Sequence, residues 1–384
     1  MKDGWEIKKL GRVCEVIAGQ SPEGKYYNQD GKGIPFYQGK KDFSEKFIGS
    51  PTTWTTQVTK IARKGDILMS VRAPVGPVNF VDDEVCIGRG LAGIRTKEDM
   101  NRDFLFYQLL FLQPEIAGRE GAVFASINKS EIEALPIAVT TITEQKRIVA
   151  ILDEAFEGIA TAKANADKNL KNARQLFESH LNSVFSQRGE GWVEKRLGQV
   201  CQTGAGGTPL KSKKAYYEGG TIPWLLSGEV SQGQIHKAKH FISQQGLENS
   251  SAKIFPKNTV LVAMYGATAG QVGILKFEAS TNQAVCGILP NDRFVPEYLF
   301  YFFLSQKDSL VAQAAGNAQP NISQLKIKNT AVPILSLSEQ QEIVERFDFL
   351  RNQTQRLESI YQKKIEALDA LKKSILQKAF SGKM

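Results

Sequence analysis

Ser338-Glu339-Gln340-Gln341-Glu342-Ile343 opens a stretch that closes at Phe380-Ser381, with apolar residues three and four apart: Ile343, Phe347, Leu350, Leu357, Tyr361, Leu368, Leu371 and Ile375. Such spacing lays one apolar stripe along an α-helix, and a Ser or Thr followed by an acidic residue marks a capped start. The stretch occurs twice. Thr143-Glu144-Gln145 opens an earlier copy that closes at Phe185-Ser186, and 338 − 143 and 380 − 185 both give an offset of 195. Ile148/Ile343, Asp153/Asp348, Leu176/Leu371, Ser179/Ser374 and Leu181/Leu376 coincide at that offset. At ~1.5 Å rise per residue, about 40 residues make a helix roughly 60 Å long. Its stripe needs an apolar partner, and the other copy supplies one.

The segments before each helix repeat too. Trp5, Leu10-Gly11 and Val13-Cys14 return as Trp192, Leu197-Gly198 and Val200-Cys201. Gly19-x-Ser21-Pro22 returns as Gly206-x-Thr208-Pro209, and Ile34-Pro35-Phe36 as Ile222-Pro223-Trp224. Strand-like Asp66–Arg72 aligns with Thr259–Tyr265, Leu105-Phe106-Tyr107 with Leu299-Phe300-Tyr301, and Ile127 and Ile132 with Ile322 and Ile327. The offset drifts from 187 (192 − 5) to 195, so the copies differ mainly by loop insertions. The chain is therefore a tandem duplication of a globular domain followed by a long helix. Its parts are expected at 1–143, 144–187, 188–337 and 338–384. Short β-rich runs between Gly, Pro, Asn and Asp clusters, with short helices near 101–118 and 295–314, predict α+β domains. The second domain hangs between the end of one helix and the start of the other. The helices are thus expected to pair as an antiparallel coiled coil with a pseudo-two-fold axis. Phe380-Ser381 would finish beside Trp5 as Phe185-Ser186 leads into Trp192, a quasi-circular arrangement.

A hydrophobic content of 42% and a charged content of 23% over 384 residues place the chain among ordinary globular proteins of two or three domains. It has no apolar run of membrane-spanning length and no signal-peptide pattern at Met1-Lys2-Asp3-Gly4-Trp5, so a cytoplasmic protein is expected. Cys14, Cys86, Cys201 and Cys286 form no Cys-x-x-Cys pair, which argues against zinc and against a disulfide framework. The net charge of +9 points toward a polyanion. Residues 1–143 hold 19 Lys and Arg against 18 Asp and Glu, 144–187 hold 6 and 6, 188–337 hold 15 and 9, and 338–384 hold 9 and 7. The second globular segment thus carries six of the nine surplus charges.

Gly19-Gln20-Ser21-Pro22-Glu23-Gly24-Lys25 has the spacing of a phosphate-binding loop, but Tyr26 stands where a magnesium-binding Ser or Thr is required. His236 and His240 are four apart without a third ligand at useful spacing, and read as surface histidines. The chain has neither the Asn-Pro-Pro-aromatic motif of an adenine methyltransferase nor a Gly-x-Ser-x-Gly elbow, and catalysis by it alone is not expected. Binding residues are better represented. In the first domain the loops carry Gln20, Ser21, Lys25, Tyr27, Gln38, Lys40, Lys41, Arg72 and Arg89. In the second they carry Thr208, Lys211, Lys213, Lys214, Tyr217, Glu229, Tyr265, Asn282, Gln283 and Asn321. Lys and Arg meet phosphates, while Arg, Gln, Asn and Glu read base edges by paired hydrogen bonds. Their recurrence at matching positions with changed identities suggests one scaffold carrying two readouts.

With these features the whole chain resembles the specificity subunit of type I restriction–modification systems. The Trp-…-Leu-Gly openings, the Ile137 and Pro333-Ile334 segments leading into Thr143-Glu144-Gln145 and Ser338-Glu339-Gln340, and the Leu-x-x-x-Phe-Ser endings at Leu181–Ser186 and Leu376–Ser381 carry the resemblance. It implies two target recognition domains reading a bipartite, asymmetric double-stranded DNA site, and helices acting as a ruler. It also implies docking of two methyltransferase subunits, with restriction subunits completing the assembly. S-adenosylmethionine, ATP and magnesium would belong to those partners, and this chain would hold no cofactor. A subunit of a type II-like system and a stand-alone DNA-binding scaffold or repressor are the alternative readings.

Overall fold

Both stretches expected to be helical are single helices in the computed structural model, Ile142–Ser186 and Leu337–Phe380. It describes residues 4–118, 126–187, 192–313 and 321–381; position 314, at the end of a predicted short helix, lies outside them. The helix starts differ from the sequence expectation. The capping side chains are Thr141 and Ser336, two residues before Thr143 and Ser338, and their hydroxyls accept from the Glu144 and Glu339 amides at 3.3 Å. Glu339 returns a bond to the Ser336 amide at 2.9 Å, closing a capping box. The Ser/Thr-Glu adjacency had obscured the Ser/Thr-x-x-Glu spacing that does the capping.

The third residue of the Thr/Ser-Glu-Gln signature has a separate task. Gln145 and Gln340 are fully buried. The Gln145 amide accepts from Asn101 N at 2.8 Å and donates to Asp99 O and Thr140 O at 3.0 and 2.8 Å. Gln340 accepts from Val295 N at 2.9 Å and donates to Arg293 O and Leu335 O at 2.9 and 3.0 Å. Each glutamine satisfies loop backbone groups that would otherwise be buried without partners.

Contacts divide the chain into two units, Met1–Asp167 with Gln362–Met384, and Lys168–Tyr361, so each unit holds part of both long helices. In the first, an antiparallel sheet runs in the order Cys14–Ala18, Leu91–Thr96, Ile67–Ser70, Val78–Phe80. In the second, the order is Thr203–Ala205, Val285–Ile288, Val260–Ala263, Val272–Leu275, Gln234–Ile235. The last strand is extra and pairs in parallel with Val272–Leu275; among the described residues the first unit has a parallel bridge, Phe47 to Phe80, in its place. Ile67–Ser70 and Val260–Ala263 are buried along their whole lengths, which explains their unbroken apolar reading. The matched Ile-Pro-aromatic segments lie in a second sheet of each unit, pairing in parallel at Phe36↔Cys86 and Trp224↔Ser280. A short ribbon, Glu6–Lys9 with Pro136–Val139 and Val193–Arg196 with Ala331–Ile334, ties each Trp-…-Leu-Gly opening to the strand leading into a long helix.

Helix segments complete both cores. In the first unit Ile148 and Leu152, near the start of one helix, share a cluster with Leu376 and Ala379, near the end of the other. In the second, Leu181 and Phe185 share a cluster with Val344 and Phe347. The segments therefore run antiparallel within each unit. Phe380 meets Phe104 beside Trp5, as Phe185 meets Tyr298 in the cluster that Trp192 packs against. Equivalent bonds anchor the helices to their domains: the Tyr107 hydroxyl donates to Asp153, and that of Tyr301 to Asp348. Burial and the adjoining carboxylate push both phenols above their ordinary range. The apolar stripe is narrower than its periodicity suggests. Leu357 and Leu371 are exposed, while small side chains such as Ala166, Ala173 and Thr354 are buried. A two-helix seam covers only a strip of each surface, so flanking leucines stay outside it.

Candidate nucleic-acid interface

The matched loops Gly19-x-Ser21-Pro22 and Gly206-x-Thr208-Pro209 are built alike, for a steric reason. A Cβ on Gly19 would fall 2.2 Å from the Gly88 carbonyl oxygen, and one on Gly206 would fall 2.3 Å from that of Asn282. Only glycine lets the loop press against the neighbouring turn. The residue two places on then meets that turn through its hydroxyl: Ser21 Oγ accepts from Arg89 N at 3.2 Å, and Thr208 Oγ1 donates to Gln283 Oε1. Next to them Arg72 and Tyr265 follow the central strands and form matching backbone bridges, to Ser126 and Asn321.

In the first unit these pieces enclose an open cavity of about 480 Å³ lined by Ser21, Glu23, Gln38, Lys40, Arg72 and Arg89, with Pro22, Ser70, Ala73 and the loop glycines Gly39 and Gly90 filling its walls. Five predicted residues, Ser21, Gln38, Lys40, Arg72 and Arg89, thus converge. Among the described residues Lys40, Arg72 and Arg89 form no ion pair, so their charges remain available to an anionic ligand. Lys41 is exposed beside them on the turn Lys40–Asp42. Gln20 and Lys25 lie outside the lining; Gln20 is exposed, its carbonyl accepting from Thr59, and Lys25 Nζ pairs with Glu23 at 2.6 Å. Gly24–Tyr26 is a single 3-10 turn followed by extended chain, so the phosphate-loop spacing leads into no helix.

The second unit keeps the frame and changes the side chains. Tyr265, Gln283 and Asn321 are exposed, as are Lys211, Lys213 and Lys214. Lys213 Nζ lies 5.1 Å over the Tyr216 ring, whereas Lys211 and Lys214 form no ion pair among the described residues. Asn282 is partly buried and turns its Oδ1 back to accept from Ala284 N at 3.2 Å.

Three expected contact residues belong to the frame instead. Tyr27 donates its hydroxyl to Pro22 O at 2.8 Å and stacks on Phe36, and Tyr217 donates to Pro209 O at 2.5 Å. They are equivalent struts, holding the loop prolines, and burial raises the Tyr217 pKa. Glu229 is the clearest correction. It is 5% exposed, and its two oxygens accept from Leu226 N at 2.9 Å and Lys239 N at 3.0 Å. Each oxygen keeps a lone pair, but a carboxylate buried this deeply against backbone amides does not reach a base edge. The sequence reading also missed Glu23 and Ser70 in the cavity wall; only their place beside Ser21 and Arg72 in the repeat could have pointed to them.

The remaining candidates fall away. His236 lies in a loop and His240 begins the strand His240–Ile242, so they share no helix face, and no metal-holding cluster occurs among the described residues. All four cysteines are buried and free. No helix among the described residues is long and apolar enough to cross a membrane.

A family model described as "Type I restriction modification DNA specificity domain" matches residues 2–171 and 189–367. A putative type I restriction enzyme MjaX specificity subunit of Methanocaldococcus jannaschii is 38% identical over 183 residues, 47% of this chain and 43% of that protein. The EcoR124I/EcoR124II specificity subunit of Escherichia coli is 27% identical over 217 residues, covering 54% of this chain and 52% of that one. The chain thus spans about half the length of these two relatives. A solved structure described as underlying complex assembly and conformational transition of the type I R-M system superposes with a TM-score of 0.83 at 20% identity, over 99% of this chain and 98% of that one. At that identity the likeness speaks for the fold.

Proposed function

We infer the action of this chain from one premise: it belongs to the type I restriction–modification DNA specificity family. The chain is the sequence-reading subunit of a restriction–modification enzyme, binding double-stranded DNA at a bipartite, asymmetric site and docking methyltransferase and restriction subunits. The observation that carries this reading is the same loop frame built twice with different side chains. Ser21, Arg72 and Arg89 in one unit become Thr208, Tyr265 and Gln283 in the other. In the first unit Lys40, Arg72 and Arg89, which form no ion pair among the described residues, suit contact with the DNA backbone. Changed side chains at the same positions suit two different half-sites.

The chain acts without catalysis of its own, in the cytoplasm. The methyl donor S-adenosylmethionine, ATP and magnesium belong to the partner subunits. The test is to co-express the chain with a methyltransferase subunit of this family and map modified adenines by sequencing. Two unlike half-sites at a fixed separation are expected. A symmetric site, or a free chain that binds its site tightly and never co-purifies with the methyltransferase, counts against the reading.

A further inference from the structure

Each unit carries an ion pair between its two long-helix segments. In the first, Lys163 Nζ meets Asp369 at 2.7 Å; in the second, Arg174 Nε meets Glu358 at 3.1 Å. The repeat offset of 195 places Lys163 at the position of Glu358, and Arg174 at that of Asp369. The two pairs are therefore the same contact made twice, with the charges exchanged between helices. One helix contributes both cations and the other both anions.

This arrangement has a consequence for pairing. In both ion pairs the residue numbers sum to 532, since 163 + 369 = 174 + 358. If a second copy of the first helix took the place of the second helix in this register, Lys163 would face Arg174 at both sites. Two copies of the second helix would set Glu358 against Asp369 at both. We propose that these four residues make the helix seam selective for its non-identical partner, excluding pairs of like helices between copies of the chain. An apolar seam alone discriminates weakly between repeats of common ancestry, and like charges facing one another add the missing penalty. The proposal is independent of what the chain binds.

The test uses the full chain with a protease site inserted between Ser186 and Trp192 and cut after purification, so that both fragments remain present. The cut protein is equilibrated in urea near its unfolding midpoint, returned to buffer, and read by native mass spectrometry. The unmodified sequence should give mixed pairs almost exclusively. Exchanging one pair, by R174E with E358R, keeps attraction in the mixed pair while making each helix complementary to its own copy. Like pairs should then rise, with the exchange constant moving roughly thirtyfold for four contacts of ordinary exposed strength. The variant K163D with D369K should do the same. Combining both exchanges makes one helix wholly acidic and the other wholly basic, and selectivity should return. This loss and recovery is not expected of residues that merely stabilise the fold. Statistical pairing in the unmodified chain, or unchanged selectivity in either single exchange, overturns the proposal.

Discussion

The Phe380 ring lies 5.3 Å from the Phe104 ring at an interplanar angle of 65°, so the last turn of the second long helix seals the core beside the first sheet. Removing that ring by Phe380→Ala should cost about 2–3 kcal/mol, below the full range for a buried phenylalanine because Phe380 is only partly buried. Urea unfolding of the whole chain measures it, and Phe380→Leu should recover more than half. A loss under about 0.5 kcal/mol would mean the contact is ornamental.

Gln145→Leu keeps the volume but strands Asn101 N, Asp99 O and Thr140 O without their partner. A cost of roughly 2–4 kcal/mol is expected, and Gln340→Leu should behave alike. Far-ultraviolet and near-ultraviolet circular dichroism followed through the same urea titration would report it. Unaltered midpoints would show that water replaces the amide.

Arg89→Ala and Arg72→Ala should weaken DNA binding of the assembled complex by about 1–3 kcal/mol each, with the changed preference confined to one half-site. An arginine on a phosphate lowers the slope of log affinity against log salt by about one, whereas an arginine on a base edge alters sequence preference instead. Binding titrations at several salt concentrations, on sites altered in one half at a time, separate the two. Equal effects on both half-sites would contradict the assignment.

Glu229→Ala should lower stability by roughly 1.5–3 kcal/mol through the loss of two charge-assisted hydrogen bonds, and leave the methylated sequence unchanged. Sequencing modified sites from cells carrying the variant decides the second half of this statement. A shifted recognition sequence would return Glu229 to the contact surface.

Burial holds the Cys14 and Cys286 thiols at about 12, against an ordinary value of 9.0. For a folded pKa raised in this way the contribution to stability is intact below the unfolded value. It is lost as pH climbs through 9 toward 12, because only the unfolded chain gives up the protons. Midpoints measured between pH 8 and pH 10.5 should therefore fall. At pH 8, thiol-reactive dyes should label these residues only as fast as the chain opens.

The repeat and both helices were legible because they rest on periodicity and on spacing that survives duplication. The cap residues Thr141 and Ser336 were not, since two candidate hydroxyls lay within two positions and only three-dimensional geometry chooses between them. Leu357 and Leu371 fit the stripe by period but sit on its flank, where a two-helix seam cannot reach. At the candidate interface, residue type found the loops, and five of the nine first-domain residues line one cavity. Type could not distinguish a tyrosine that touches a ligand from Tyr27 or Tyr217, which spend their hydroxyls on a proline carbonyl. Nor could it show that Glu229 turns inward, because one of its partners, Lys239, is ten residues away.

Every group gripped by Gln145 and Gln340 is a peptide N–H or C=O, and none is a side chain. At these two glutamines each long helix therefore grips the path of the backbone it carries, while side-chain contacts such as Tyr107 to Asp153 and Tyr301 to Asp348 lie further along. Mutations that rewrite a recognition loop need no compensating change at this joint.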